Sequence, residues 1–206
     1  MINVIKMYKN RKETQDMVLY WTKIAHIQGL TPGHPGRTAA HGSAWAWSLL
    51  AYAVREQFSC DLPEVSLSRG GKPFFPSRPD ICFSLSHTKT AVLAAISSFP
   101  IGADVEFRRE TKPSLERRLL ELPHGDLDLF EVWTLRESWY KLTGEGDLRS
   151  IPFSRENGVI TGPNPALQCR VYHEIPDCCA SVCSLSETLS NNLLYVPPEA
   201  LCGFST

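Results

Sequence analysis

Two carboxylic acids stand two positions apart in a short apolar segment, IGADVE at residues 101–106. Alternate residues of a β-strand point to the same face, so this segment as a strand would present Asp104 and Glu106 together. Ala103 and Val105 would face the opposite side and pack inward. Two carboxylates this close repel each other unless a cation lies between them. The spacing therefore indicates a candidate cation site.

A second charged pair lies in the segment WTLRESWYK at residues 133–141. Glu137 and Lys141 are four residues apart, and residues at this spacing share one face of a helix. If that face meets the strand, three carboxylates and a lysine lie in one cleft. Mg²⁺ accepts a few carboxylate oxygens and keeps water and substrate phosphates as its other ligands. The four residues therefore predict a metal and phosphate site.

A plainer interpretation stays open on spacing alone. In it, Asp104 and Glu106 line the solvent-exposed side of an edge strand, and Glu137 and Lys141 form a surface ion pair. Such a helical pair is worth only a few tenths of a kcal/mol.

Helices and strands must hold these segments in place. Helical spacing of apolar residues predicts three helices: one that Thr14 caps and that includes Met17 and Ile24, the longest over about 38–58, and one over 129–143 that Gly144 ends. Runs rich in strand-forming residues predict strands over 1–8, 81–86, 91–96, 101–107, 153–160, 167–173 and 179–185. The turns between the three central strands are too short for a parallel crossover, which predicts an antiparallel meander and disfavours a Rossmann fold.

The order of these elements indicates the fold class. A helix followed by three strands occurs twice, which predicts an α+β fold of two similar halves, residues 1–106 and 107–206, with the site between them. Each half would be a small antiparallel sheet packed on a helix.

Composition limits the function classes. The chain has 206 residues, 43% of them hydrophobic, with 21 basic against 22 acidic residues, so we expect a globular protein and not a general nucleic-acid binder. No apolar run reaches the roughly 18 residues that indicate a membrane span, and the first residues lack a secretory signal, so we expect a cytoplasmic protein without membrane contact. The seven cysteines include no Cys-x-x-Cys pair and are predicted to be buried free thiols rather than a metal cluster.

Four motifs together resemble the signature of the 4'-phosphopantetheinyl transferase superfamily. In chain order they are GKPF at 71–74, FSLSH at 83–87, IGADVE at 101–106 and WTLRESWYK at 133–141. The chain length and the motif set are similar to the larger, surfactin-type subfamily rather than to the small trimeric synthases. This resemblance implies a monomer whose two α+β halves are related by a pseudo-two-fold axis.

The resemblance implies an Mg²⁺-dependent enzyme that moves the phosphopantetheine arm of coenzyme A onto a serine of an acyl or peptidyl carrier protein. Adenosine 3',5'-bisphosphate would be the second product. Asp104, Glu106 and Glu137 would be the metal ligands. Glu137 would also accept the proton of the carrier serine, and Lys141 would neutralise charge on the transferring phosphate.

The resemblance also implies a set of residues that bind coenzyme A. His87 would contact the 3'-phosphate, and Ser86 and Lys72 would hold the nucleotide phosphates. Taken alone, His87 also fits a residue that hydrogen-bonds within a turn, and Lys72 and Arg37 fit solvated surface cations. The full implied set is Arg37, Lys72, Pro73, Ser86, His87, Asp104 and Lys141.

Two residues depart from the family pattern, and two other functions stay open. Arg136 stands where lysine is usual, which replaces a point cation with a planar fork, and Ser84 stands where asparagine is usual. The short linker between Glu106 and Trp133 puts the choice of partner in question more than the chemistry. The other functions are a coenzyme A or carrier-binding module without catalysis, and an Mg²⁺-dependent phosphohydrolase that uses the same carboxylates.

Overall fold

The helices and strands of this chain are known from a computed structural model that describes residues 17–24, 41–186 and 189–201. The predicted strand over 1–8 and Arg37 lie outside the described residues. The described strands are β1 Val18–Lys23, β2 Ser66–Leu67, β3 Pro73–Phe74, β4 Cys82–His87, β5 Ala91–Ser97, β6 Ile101–Phe107, β7 Ser154–Glu156, β8 Val159–Thr161, β9 Gln168–Tyr172, β10 Cys178–Ser184 and β11 Leu193–Tyr195. The helices are α1 His41–Phe58, α2 Pro113–Leu119 and α3 Leu129–Thr143, followed by a 3₁₀ turn at Pro198–Leu201.

Two sheets form the centre of the molecule. The first has the strand order β11-β1-β5-β4, and the second has the order β6-β10-β9. All neighbouring strands in these sheets are antiparallel except β1 and β11, which are parallel. The sheets pack face to face through a shared apolar cluster that includes Leu19, Leu93, Val105 and Val182.

Each sheet carries one helix on its outer face. Helix α1 covers the first sheet, and its Trp45 and Leu49 belong to the same buried apolar cluster as Phe83 of β4. Helix α3 covers the second sheet, where Leu135 packs near the buried Cys183 of β10. The resulting order is helix, sheet, sheet, helix, and it confirms the predicted α+β class. It also confirms the helices predicted over 38–58 and 129–143, the first from His41 onward.

The helix predicted with Thr14 as its cap is wrong where the structure describes it, because Val18–Lys23 is strand β1. Tyr20 and Trp21 fit a helical spacing only by coincidence. The segment is buried on both faces, so the apolar–polar alternation that identifies a strand is absent. Its aromatic and β-branched residues are typical of strands, which was the signal to use.

The predicted three-stranded meander is wrong at its third strand. Strands β4 and β5 pair as expected, but β6 does not pair with β5. The free edge of β5 is already taken by β1, so the chain after Pro100 must cross to the second sheet. There β6 pairs with β10 along its full length, from Ile101 opposite Ser184 to Phe107 opposite Cys178.

Other segments differ in detail from the sequence prediction. The single strand predicted over 153–160 is a hairpin of β7 and β8, because Asn157 and Gly158 both adopt positive φ, 52° and 78°, as a tight hairpin turn requires. Helix α2 and strand β11 were not predicted. The six described cysteines form no disulfide bond with one another, and Cys178, Cys179 and Cys183 are buried.

Two strands cross the division predicted at residues 106 and 107. Strand β6 precedes the division but belongs to the sheet of the later strands, and β11 follows it but pairs with β1. The two-part division stays a prediction. None of the helices in the described ranges is long and apolar enough to span a membrane.

Candidate active site

Strand β6 and helix α3 lie in direct backbone contact at Gly102. A Cβ atom at this position would overlap the carbonyl oxygen of Ser138 and would lie 2.6 Å from the amide nitrogen of Leu142. Glycine therefore sets the separation of the strand and the helix. This close approach brings Asp104 of the strand level with Lys141 of the helix.

Local capping fixes where α3 begins and ends. The Asp128 side chain accepts hydrogen bonds from the amides of Phe130 and Glu131, and Glu131 reaches back to the amide of Asp128. This capping box satisfies amides that a helix start otherwise leaves unpaired. Gly144, with φ of 72°, ends the helix in the left-handed conformation. Glu137 and Lys141 therefore stand at fixed positions on a well-defined helix.

The carboxylate of Asp104 is the buried centre of the site. The residue is only 4% exposed. Lys141 Nζ and Ser86 Oγ each donate a hydrogen bond of 2.7 Å to the same oxygen, Oδ1. The other oxygen, Oδ2, is buried and has no hydrogen-bond partner among the residues that the structure describes. This carboxylate does not line the solvent-exposed side of an edge strand, as the plainer interpretation required.

Glu106 and Glu137 share the electrostatic field of Asp104. Burial raises the pKa of Glu137, and the negative charges of Asp104 and Glu106 raise this pKa further, against the opposing charge of Lys141. Glu106 is half-buried, and Arg109 Nη1 donates to its Oε2 over 3.3 Å. The three predicted carboxylates therefore belong to one interacting cluster.

The chemistry of this cluster fits a hard divalent cation. Carboxylate oxygens are the ligands that Mg²⁺ prefers, and the unpartnered Oδ2 of Asp104 has an unmet need for a cation or a donor. In the described part of the chain, no three His, Cys, Asp or Glu side chains are gathered as a metal site. The three carboxylates are of the ligand type that Mg²⁺ prefers, and their mutual repulsion would be relieved by a bound cation. In this structure the oxygens of Asp104, Glu106 and Glu137 do not form a closed coordination site.

His87 lies at the same site, at the end of β4. Partial burial lowers the pKa of its imidazole, the Lys141 charge lowers it further, and Asp104 opposes this effect. The ring rests against Gly42 near the start of α1, where a Cβ atom would lie 2.7 Å from Nδ1. His87 is therefore held between the first helix and the acidic cluster, in surroundings that favour the neutral imidazole.

Lys72 is not a solvated loop residue. Its Nζ donates to the carbonyl of Ile101 over 3.2 Å and to that of Leu142 over 3.4 Å, and burial lowers the pKa of the ammonium group. It thus bridges the start of β6 and the end of α3. Pro73 follows in β3, which pairs with β2. Hydrogen bonds or electrostatic interactions link Asp104 with Ser86, His87, Glu137 and Lys141, and Glu137 with Glu106, whereas Lys72 lies at the start of β6 and Pro73 in the neighbouring loop.

Arg136 has a structural role that the sequence did not indicate. The side chain is 1% exposed, and it donates through Nε to the carbonyl of Ile151 over 2.8 Å and through Nη1 to that of Leu119 over 2.7 Å. It therefore attaches α2 and the segment before β7 to α3. The sequence shows a charged residue at position 136, but it does not show that the side chain is buried. The carbonyls that Arg136 contacts are 15 and 17 residues away along the chain.

A groove of about 660 Å³ opens beside Glu106, between α2 and α3. Its wall is apolar and aromatic, and three arginines, Arg109, Arg118 and Arg149, stand among the lining residues. Sequence reasoning missed the groove because it missed α2. The apolar and aromatic lining residues are Leu115, Leu119, Leu129, Phe130, Trp133, Tyr140 and Leu148.

Comparison with known proteins gives one consistent group. No protein-family model matches the chain. It is 28% identical to the 4'-phosphopantetheinyl transferase Sfp of Bacillus subtilis (strain 168) and 25% identical to the 4'-phosphopantetheinyl transferase ffp of Bacillus subtilis, in both cases over 79% of this chain and 82% of the relative. A further 4'-phosphopantetheinyl transferase of Bacillus subtilis is 27% identical over 52% of this chain and 54% of its own length. These similarities confirm the surfactin-type resemblance of the motifs.

Proposed function

We propose that this chain, a relative of the surfactin-type 4'-phosphopantetheinyl transferases, transfers the 4'-phosphopantetheine group of coenzyme A to a serine of an acyl or peptidyl carrier protein. The reaction depends on Mg²⁺ and releases adenosine 3',5'-bisphosphate. Coenzyme A and carrier proteins are cytoplasmic partners, so the proposal places the enzyme in the cytoplasm, and the resemblance supports a monomer.

One observation carries this proposal: a buried carboxylate is shared between two motif segments. Asp104 of β6 is paired with Lys141 of α3, and its second oxygen has no partner among the described residues. Glu137 lies on the same helix and interacts electrostatically with Asp104. A buried carboxylate oxygen without a hydrogen-bond partner is costly for a fold, so its presence supports a role with a bound cation.

Asp104, Glu106 and Glu137 would hold Mg²⁺, which supplies positive charge to the pyrophosphate of coenzyme A. The carrier serine oxygen attacks the phosphorus next to pantetheine, and the bond from that phosphorus to the bridging oxygen breaks. Glu137 takes the proton of the serine hydroxyl.

Two cationic or donor groups complete the proposed mechanism. Lys141, held at Asp104, places its ammonium group where negative charge grows on the transferring phosphate. His87, at the end of β4, would donate a hydrogen bond to the 3'-phosphate of the nucleotide. Lys72 contributes by holding β6 to the end of α3, which keeps Asp104 and Lys141 in register.

We place the binding site of the carrier protein in the groove beside Glu106. Its apolar wall suits a packed contact, and Arg109, Arg118 and Arg149 suit acidic groups at the border of that contact. A carrier bound there would present its serine next to the acidic cluster, since Glu106 belongs to both. The short linker before α3 forms one side of this groove through α2.

Intact-protein mass spectrometry tests the proposal directly. An apo carrier protein incubated with the chain, coenzyme A and Mg²⁺ is expected to gain the mass of one phosphopantetheine group. Asp104→Asn should abolish the gain, whereas Asp126→Asn, which changes a carboxylate 68% exposed beside Arg155, should retain it. Release of free phosphopantetheine with an unmodified carrier would instead identify a phosphohydrolase. Binding of coenzyme A without turnover would identify a binding module.

A further inference from the structure

We infer that Ser86 is a positioning residue that fixes which oxygen of Asp104 is free for the metal. The inference rests on the proposed function, and it assigns Ser86 a role other than contact with the nucleotide phosphates. The Ser86 hydroxyl donates to Asp104 Oδ1 over 2.7 Å, and both residues are buried, at 8% and 4% exposure. A buried hydrogen bond of this length to a charged acceptor is strong.

The contact follows from how β4 meets β6. Ser84 and Ser86 are two residues apart on β4, so they share the face that points toward β6. Ser84 Oγ accepts a hydrogen bond of 2.9 Å from the amide of Ala103, which fixes the register of the two strands across the sheets. Ser86, one step further, then reaches the side chain of Asp104. One serine holds the backbone, and the other holds the carboxylate.

The two hydrogen-bond donors that the structure describes for the Asp104 carboxylate are both on the same oxygen. Lys141 Nζ and Ser86 Oγ both donate to Oδ1, at 2.7 Å each, and Oδ2 is left without a partner among the described residues. Two donors on one oxygen restrain rotation of the carboxylate. With Lys141 alone, rotation would let the ammonium group take either oxygen, and the free oxygen would lose its fixed direction.

A serine hydroxyl has a single proton to donate, and an ionised carboxylate only accepts. Phosphate oxygens at neutral pH also accept, so the one proton of Ser86 cannot serve Asp104 and a phosphate at the same time. In this structure the Ser86 hydroxyl donates that proton to Asp104.

Metal binding measured without turnover tests this role. The probe is Mn²⁺, whose free concentration is followed by electron paramagnetic resonance during titration of the chain alone. Ser86→Ala is expected to weaken Mn²⁺ binding about tenfold or more, in keeping with the loss of one buried hydrogen bond to a charged group. Ser86→Cys, which nearly keeps the volume but has a weak donor, should weaken it in the same direction and covers the case in which the alanine variant does not fold.

Two controls separate this role from the alternatives. Ser86→Thr keeps the hydroxyl and should restore most of the Mn²⁺ affinity. With carrier and Mg²⁺ present, Ser86→Ala should raise the KM for coenzyme A and for dephospho-coenzyme A by the same factor. Unchanged Mn²⁺ affinity in the alanine and cysteine variants, or a KM rise confined to coenzyme A, overturns the inference. Because the titration needs no turnover, a chain that binds Mn²⁺ in this pattern but modifies no carrier would refute only the proposed function.

Discussion

At the scale of single residues, the site is a group of like charges that the fold holds together. Asp104, Glu106 and Glu137 repel one another, and Lys141 neutralises only part of their charge. Arrangements of this kind cost stability in the absence of a ligand, and the cost is recovered when the ligand binds. Two consequences can be measured on the chain without a carrier protein.

The first prediction concerns the stability of Glu137→Gln in EDTA. The pKa of Glu137 is raised in the folded state, so its favourable contribution is present below the ordinary glutamate pKa and is lost as pH rises through the raised value. Glutamine resembles the protonated form at every pH. We therefore expect this variant to be more stable than the parent chain at pH 7.5, by on the order of 0.3 M in urea midpoint, and equal to it near pH 4.

Urea unfolding at the two pH values measures this effect, and Glu145→Gln serves as the control because its carboxylate is exposed beyond the end of α3. That control should match the parent chain at both pH values. Added Mg²⁺ should stabilise the parent chain more than Glu137→Gln. A glutamine variant that is less stable at pH 7.5 in EDTA would show that the cluster is not repulsive.

The second prediction concerns proton uptake at His87. Burial and the Lys141 charge lower the pKa of this imidazole, which favours the neutral form of the ring. An anionic 3'-phosphate beside the ring would raise the pKa and draw a proton from solution. Binding of coenzyme A at pH 6.5 should therefore take up a fraction of a proton, and binding of dephospho-coenzyme A should take up less.

Calorimetry in two buffers of different ionisation enthalpy measures the difference in proton uptake between the two ligands, and His87→Gln should remove this difference. Equal uptake for both ligands would place His87 away from the 3'-phosphate.

The residues of the acidic cluster could be predicted from sequence, but their partners could not. Spacing alone placed Asp104 beside Glu106 and Glu137 beside Lys141, and the motifs added His87 and Lys72. The bond from Ser86 to Asp104 joins two different sheets, and Lys72 contacts carbonyls at residues 101 and 142. Main-chain acceptors and contacts between sheets leave no local pattern in a sequence.

At the scale of elements, the approach of α3 to β6 determines whether the motif residues meet. The structure allows this approach because Gly102 has no side chain where the helix backbone passes. The glycine of the motif thus has a packing reason rather than a need for unusual backbone angles. A methyl group here must push the helix and its two charged residues away from the strand.

The third prediction follows from this contact. Gly102→Ala should lower the free energy of unfolding by about 3 kcal/mol or more, or prevent folding, because overpacking against backbone atoms has no flexible neighbour to move. Gly70→Ala is the matched control, since its nearest neighbour would be Ser68 Oγ at 4.0 Å, and it should change stability by less than about 1 kcal/mol. Thermal and urea unfolding measure both variants. Similar stability of the two proteins would mean that α3 does not lie as close to β6 as described.

Elements with local signals were predictable, and elements defined by distant partners were not. Helix α3 has its bounds in the sequence because Asp128 and Glu131 form a capping box and Gly144 ends the last turn. Strand β1 is buried on both faces by segments far along the chain, so its residues carried a misleading helical spacing. The hairpin at Asn157 and Gly158 has a clear local signal, because an Asn-Gly pair is typical of a two-residue hairpin turn.

At the scale of the whole molecule, the chain crosses twice between two layers, each of which is one central sheet with its helix. Strand β6 leaves the first sheet for the second, and the segment after residue 189 returns to pair β11 with β1. Each layer therefore contains a strand from the other part of the sequence. The tail could not be placed from its polar, proline-broken sequence, although its last described residues close the core under α1. Val196 and Leu201 are both buried there.

The last prediction tests whether this returning tail stabilises the fold. Leu201 is 1% exposed and packs in the cluster of α1 and the first sheet, whereas Leu194 of β11 is 42% exposed. Leu201→Ala leaves a cavity in the core and should cost about 2–4 kcal/mol of unfolding free energy, while Leu194→Ala should cost less than about 1 kcal/mol. Both substitutions remove the same atoms, so the difference between the two losses of unfolding free energy reports packing alone, and urea unfolding measures it.

At a temperature where both variants are folded, each should transfer phosphopantetheine at the parental rate, because the acidic cluster is built on β6 and α3. Equal costs for the two substitutions would show that the tail lies on the surface, and the first layer would then be complete without it.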